Sequence, residues 1–211
     1  MSGVEFLLSI VSGIFSSIIV AIIVWVTSRI WLYGFYSDIA KVYNSKKSGR
    51  KAVNKDTLKS NTVKILSIRG KSIVESSEYP NLWNPNLTNK QIELIVSALD
   101  NDQVILDRSK ANNIDVEEYK QQMKYAQDIL DIKEQKYGNL TVYHHKENPA
   151  FKLIILDHCL YVSYYLRENN VNRSRLVKYK SENGAYNAFL QYYETVKKHA
   201  VIETRKIKQC Q

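Results

Sequence analysis

AFKLIILDHCLYVSYY, residues 150–165, contains two short runs rich in β-branched and aromatic residues, Phe151 to Leu156 and Leu160 to Leu166. Asp157 and His158 stand between them as turn residues, so the stretch reads as a β-hairpin. Upstream, Leu140 to Tyr143 is a third such run. Residues 63–68 (VKILSI) read as a buried strand running into the loop Arg69-Gly70-Lys71-Ser72. Residues 91–99 (QIELIVSAL) read as a strand on their β-branched content and the Asp100-Asn101-Asp102 turn that follows.

Two helices complete the pattern. Val116, Tyr119, Met123, Ala126, Ile129, Leu130 and Ile132 recur mostly three and four apart, which predicts a helix over 115–136. Asp115 stands as its N-cap with Glu118 three residues on, and Gly138 follows its end. A second helix over 184–200 carries Tyr186, Phe189, Leu190, Tyr193 and Val196 on one face. The order β, β, α, β, β, β, α predicts an α/β fold, a mixed sheet flanked by helices.

Composition agrees with a folded domain: 45% hydrophobic and 11% aromatic residues, with 15 Tyr, supply a core. The formal net charge of +9 favours anionic partners. The two cysteines, Cys159 and Cys210, form no metal-ligand spacing, and Cys159 lies in an apolar run where it reads as a small buried hydrophobe. No phosphate-cradling glycine loop, Ser-His-Asp arrangement or paired-carboxylate signature stands out, and no cofactor or metal is expected.

The N-terminus reads differently. From Phe6 to Ser28 there are 23 residues without a charge, enough for a membrane-spanning helix, with Trp25, Trp31, Tyr33 and Tyr36 beyond as an aromatic belt. Residues 1–36 are therefore expected to be an uncleaved anchor. Between 41 and 59 seven Lys or Arg face one acid, Asp56, and this basic, Ser-, Asn- and Gly-rich stretch (37–60) reads as a juxtamembrane linker. The positive-inside rule then places the N-terminus outside the inner membrane and a domain of residues 61–200, with a basic tail (201–211), in the cytoplasm. Within the anchor, Ser9, Gly13, Ser17 and Ala21 recur every four residues, and Ser12 and Ser16 lie nearby. Such a small-residue row suits self-association into a homo-oligomer whose polar half lines a pore; the other reading is a plain anchor.

The hairpin also carries a family resemblance. Lys152, Asp157 and Ser163 stand where the phospholipase D superfamily has the Lys, Asp and Ser of its motif His-x-Lys-x4-Asp followed by a Gly-Ser turn. Ala150 stands in place of the nucleophilic His, and Val162 in place of the Gly. The resemblance covers roughly residues 60–200 and is to degenerate, single-copy members found as sensor-like domains in bacterial regulatory and defence proteins. It implies a pocket that binds phosphate without cleaving it, since attack on phosphorus needs the missing His.

The candidate ligand-binding residues are Arg69, Gly70, Lys71 and Ser72 after the first strand, Lys152 with Asp157 as its orienting partner, and Ser163, Tyr165 and Arg167. Arginines interleaved with tyrosines suit contact with nucleotides or single strands. The expected function is a membrane receptor-effector. It would bind a nucleotide or oligonucleotide signal, made by a partner enzyme, and control an oligomeric pore in antiviral defence. The alternatives are a membrane phosphodiesterase or nuclease using His144 or His145, and a non-catalytic scaffold.

Overall fold

Strands form where apolar residues alternate or run together. In the structure, a computed structural model, these are β1 (Ile39–Tyr43), β2 (Thr62–Leu66), β3 (Gln91–Ser97), β4 (Leu140–His145), β5 (Phe151–Leu156), β6 (Cys159–Tyr164) and β7 (Leu176–Lys180). It describes residues 19–28, 38–75, 77–84, 90–165, 175–181 and 184–209. The helices are α1, described over 19–28, α2 (Lys46–Thr57), α3 (Lys71–Val74), α4 (Asp102–Asn112), α5 (Val116–Lys136) and α6 (Gly184–Gln209). The chain divides into two units, Met1–Asp38 and Ile39–Gln211.

In the second unit the seven strands form one sheet in the order β1-β7-β6-β5-β2-β3-β4. β2, β3 and β4 run parallel, and every other pairing is antiparallel. Parallel neighbours need crossovers; α3 supplies the one between β2 and β3, and α4 with α5 the one between β3 and β4. Alternation splits each strand between two cores. Val63, Ile65, Ile154 and Leu156 pack with Val53 of α2, Ile73 of α3, and Ala126 and Leu130 of α5. Leu66, Leu153 and Ile155 pack on the other face against Tyr193, Val196 and Ala200 of α6. Ion pairs Lys64–Glu194 and Lys197–Glu93, both at 2.6 Å, tie α6 to that face.

Most elements read in the sequence are present, and four differences matter. Among the described residues no helix is long and apolar enough to cross a membrane. The expected spanning helix is therefore corrected, and with it the transmembrane topology, the inner-membrane placement and the channel role. Of the expected packing row, Ser9, Ser12, Gly13, Ser16 and Ser17 lie outside the described residues, and Ala21 is exposed on α1.

Second, the expected linker 37–60 is structured: it forms β1, paired to β7, and α2, which buries Gly49, Val53 and Thr57 at a spacing of four. Ser45 caps α2 by accepting a hydrogen bond from the Ser48 N–H at 3.2 Å. A Cβ on Gly49 would meet Leu176 Cδ2 of β7 at 2.8 Å, so helix and sheet touch closely there. Third, the expected tail after residue 200 continues α6 to Gln209. Fourth, α5 does not use Gly138 as a left-handed cap; it ends in extended backbone at Tyr137. Its start is as expected, with the Asp115 carboxylate accepting from Glu117 N at 2.7 Å and Glu118 N at 3.4 Å.

Candidate functional site

β2 and β3 end on the same side of the sheet, and antiparallel β5 begins there, with Leu66 opposite Leu153. That register sets the loop after β2 beside Lys152. Gly70 turns the loop with φ +71°, a left-handed conformation that favours glycine. A side chain there would also press on Val96 Cγ1 at 3.2 Å. α3 follows at once and is anchored by Trp83, whose indole N–H donates to the Ile73 carbonyl at 2.6 Å.

Around this corner lies a cavity of about 290 Å³. α2 contributes Lys46 and Arg50, the loop and α3 contribute Arg69, Lys71 and Ser72, and β5 contributes Lys152. Glu75, Glu78 and Tyr79 close the wall after α3, and Ser163 faces in from β6, directly opposite Lys152 in the ladder. Five cations thus meet two carboxylates, and Glu78 is already engaged with Arg50 through both oxygens. Lys152 Nζ donates to Ser72 Oγ at 2.9 Å and lies 5.5 Å from the Tyr79 ring centre.

Burial pushes the Lys152 ammonium below its ordinary value, and the charges of Arg50 and Arg69 push it further. Lys46 is lowered in the same way, by burial and then by Arg50 and Lys152. Burial raises Tyr79 to about 12, so it stays a neutral phenol.

A second cavity of about 80 Å³ shares the wall of Arg69, Lys71, Ser72, Asn112 and Lys152. It adds Arg108, Tyr119 and Tyr165. Arg108 of α4 is buried, lies 4.6 Å from the Tyr165 ring centre and donates to Asn148 Oδ1 at 3.2 Å. Arg69 lies 5.4 Å from the Tyr119 ring centre and donates to Gln122 Oε1. The Tyr165 hydroxyl accepts from the Ile68 N–H at 3.2 Å.

Of the residues singled out in the sequence, Arg69, Gly70, Lys71, Ser72, Lys152, Ser163 and Tyr165 thus line one or both cavities. Arg167 lies outside the described residues. Asp157 does not join them: it stands beyond the far end of β5, five residues and about 17 Å from Lys152 along the strand. There it accepts from Asn61 N at 2.6 Å and Thr62 N at 3.1 Å, securing the start of β2, so it is no orienting partner of Lys152. Ala150 is exposed, and its carbonyl accepts from Tyr165 N at 2.9 Å. His144 and His145 end the edge strand β4 and line neither cavity; burial lowers the His145 imidazole to about 4. The sequence reading missed Lys46, Arg50, Glu75, Glu78, Tyr79, Arg108 and Asn112.

No protein-family model matches this chain, and no curated protein does. Among solved structures, TrmBL2, an archaeal chromatin protein described as showing a novel mode of DNA binding, is similar over 92% of this chain and 69% of its own. The identity is 9% and the TM-score 0.45, a likeness too distant to argue from.

One further cluster lies at the opposite end of the hairpin. Asp56, His158 and Cys159 bring potential metal ligands within 4.8 Å of one another. A cation is already there: Lys178 Nζ pairs with Asp56 Oδ2, which also accepts from the Tyr161 hydroxyl at 2.6 Å. Burial raises the Cys159 thiol to about 12, which disfavours the thiolate that metal binding needs. The cluster is a structural tie between α2, β6 and β7.

Proposed function

We propose that Ile39–Gln211 is a non-catalytic binding module for a phosphate-bearing ligand of the nucleotide class, built on a phospholipase D-like scaffold that lacks its nucleophile. The observation that carries this reading is the convergence of Lys46, Arg50, Arg69, Lys71 and Lys152 on one cavity, with Glu78 already committed to Arg50. Crowded, partly desolvated cations raise each other's free energy, and a bound anion relieves that. The depressed Lys152 and Lys46 are the signature of the strain. Ser72 adds a hydroxyl within hydrogen-bond reach of the same Lys152.

The non-catalytic half rests on chemistry. Phosphoryl transfer through a covalent intermediate needs an activated nucleophile, and Ala150 offers none. Neither cavity has a His or Cys among its described walls. The control of a pore is not part of this proposal, because the membrane helix it needs is not supported.

Calorimetric titration of the purified chain with adenosine 5′-monophosphate tests the reading. Each charge-assisted contact contributes about 1.5–3 kcal/mol, so Arg69→Ala or Lys152→Ala weakens binding roughly ten- to a hundredfold. The same preparation leaves bis(p-nitrophenyl) phosphate uncut. Cleavage that survives stringent purification and disappears in both Ser72→Ala and Lys152→Ala overturns the non-catalytic assignment and makes that pair the reacting groups.

A further inference from the structure

The two adjoining chambers differ in both charge and size. The smaller one is walled by Arg69, Lys71, Arg108 and Lys152 and has no carboxylate among its described walls. The larger one holds both acids, Glu75 and Glu78. At about 80 Å³ the smaller chamber is far below the ~300–1,000 Å³ of small-molecule sites, so it holds a group rather than a molecule. The larger, at about 290 Å³, is at the lower edge of that range and holds a small organic body.

The two acids also differ from each other. Glu78 is held by Arg50, whereas the half-buried Glu75 carboxylate has no hydrogen bond or ion pair among the described residues. Glu75 is a free acceptor, facing the larger chamber at the end of α3. A carboxylate there repels phosphate but accepts strongly from hydroxyl or amino donors.

Resting on the binding reading above, we infer a fixed polarity. The ligand's terminal phosphate enters the small chamber beside Arg108 and Lys152. Its organic part fills the large chamber and donates hydrogen bonds to Glu75. The ligand class is a phosphomonoester whose organic part carries hydroxyl or amino donors, such as a sugar phosphate or a nucleoside monophosphate. Glu75 is the specificity-determining residue, and Lys152 and Ser72 stand on the shared wall where the two parts join.

Two probes separate the parts: methyl phosphate, which has no donor-bearing body, and ribose 5-phosphate, which has one. Both are titrated calorimetrically into the full chain and into Glu75→Ala, Lys46→Ala and Arg108→Lys. The wild type binds ribose 5-phosphate at least tenfold more tightly than methyl phosphate. Glu75→Ala closes most of that gap and leaves methyl phosphate unchanged or tighter. Methyl phosphate affinity falls at least tenfold in Arg108→Lys and by a smaller factor in Lys46→Ala, because Lys46 borders only the large chamber. The reverse order, a larger loss in Lys46→Ala, puts the phosphate in the large chamber and overturns the polarity. If Arg108→Lys does not fold, Lys152→Ala, on the shared wall, takes its place in that comparison. An undiminished gap in Glu75→Ala overturns the role of Glu75. Failure of every probe to bind the wild type instead overturns the binding reading itself.

Discussion

The two ends of the β5–β6 hairpin gather charge in opposite ways. At the closed end, one half-buried carboxylate meets one ammonium: Asp56 takes Lys178 and the Tyr161 hydroxyl, and the neighbouring Ser60 hydroxyl lies 3.3 Å from His158 Nδ1. At the open end, five cations face two acids around a cavity. Burial raises Asp56, but the hydrogen bonds from Lys178 and Tyr161 outweigh it and hold the carboxyl below its ordinary value. Burial lowers Lys152, and nearby cations lower it further. A matched cluster lowers the energy of the folded chain, while an unmatched one raises it and is kept where something must bind. The first end ties the fold together, and the second is the receiving site of the proposed binding module.

The largest expected effect comes from breaking the matched end. Asp56→Ala leaves Lys178 and the Tyr161 hydroxyl unpaired in a mostly buried site, which should cost about 3 kcal/mol of stability in urea unfolding. A loss under about 1 kcal/mol would erase the contrast between the ends. The converse at the open end is Lys152→Met, which removes a crowded charge at the expense of its bond to Ser72. Its melting temperature should hold steady or rise while phosphate affinity collapses, the trade expected where function is stored as strain.

Acid and alkali sharpen the comparison. Asp56 is lowered in the fold, so its stabilisation is complete above its ordinary 3.8 and is lost as pH falls through the folded value. Lys152 and Lys46 are lowered too, so their destabilisation is complete below their folded values and is relieved as pH rises toward 10.5. As pH rises through that window phosphate binding should weaken while the unliganded chain gains stability. Melting curves with and without phosphate across the range test both signs. The smallest effect belongs to Asp157→Asn, which weakens two hydrogen bonds at the start of β2: about 1 kcal/mol of stability, with phosphate affinity untouched.

The part of the site that follows strong apolar runs was legible in the sequence. Arg69 to Ser72 come directly after a run that reads as a buried strand, and Lys152 and Ser163 sit on a hairpin with an evident turn. The wall made by α2 was hidden because its buried face consists of Gly49, Val53 and Thr57, too weak a stripe to stand out among so many lysines. β1 leaves its three central residues exposed, so it too lacks an apolar signature. α4 buries Arg108 and Ser109 beside Val104 and Ile105, a polar face that periodicity passes over. Asp157 was misplaced for another reason: a spacing of five along an extended strand separates groups, where the same spacing in a folded-back turn would join them.

The pairing of β1 with β7 bears on when the protein becomes competent during its synthesis. Ile39 lies opposite Tyr179, so the strand that carries the chain into α2 has no ladder partner until almost the whole domain has been made. Closing so long a loop is slow, and at about 5–20 residues per second the ribosome takes seconds to deliver the partner. Until then α2 lacks its seat on β7, because Leu176, which abuts Gly49, has not emerged. A nascent chain ending before residue 176 therefore carries all five cations of the cavity but not Leu176, which closes part of its wall.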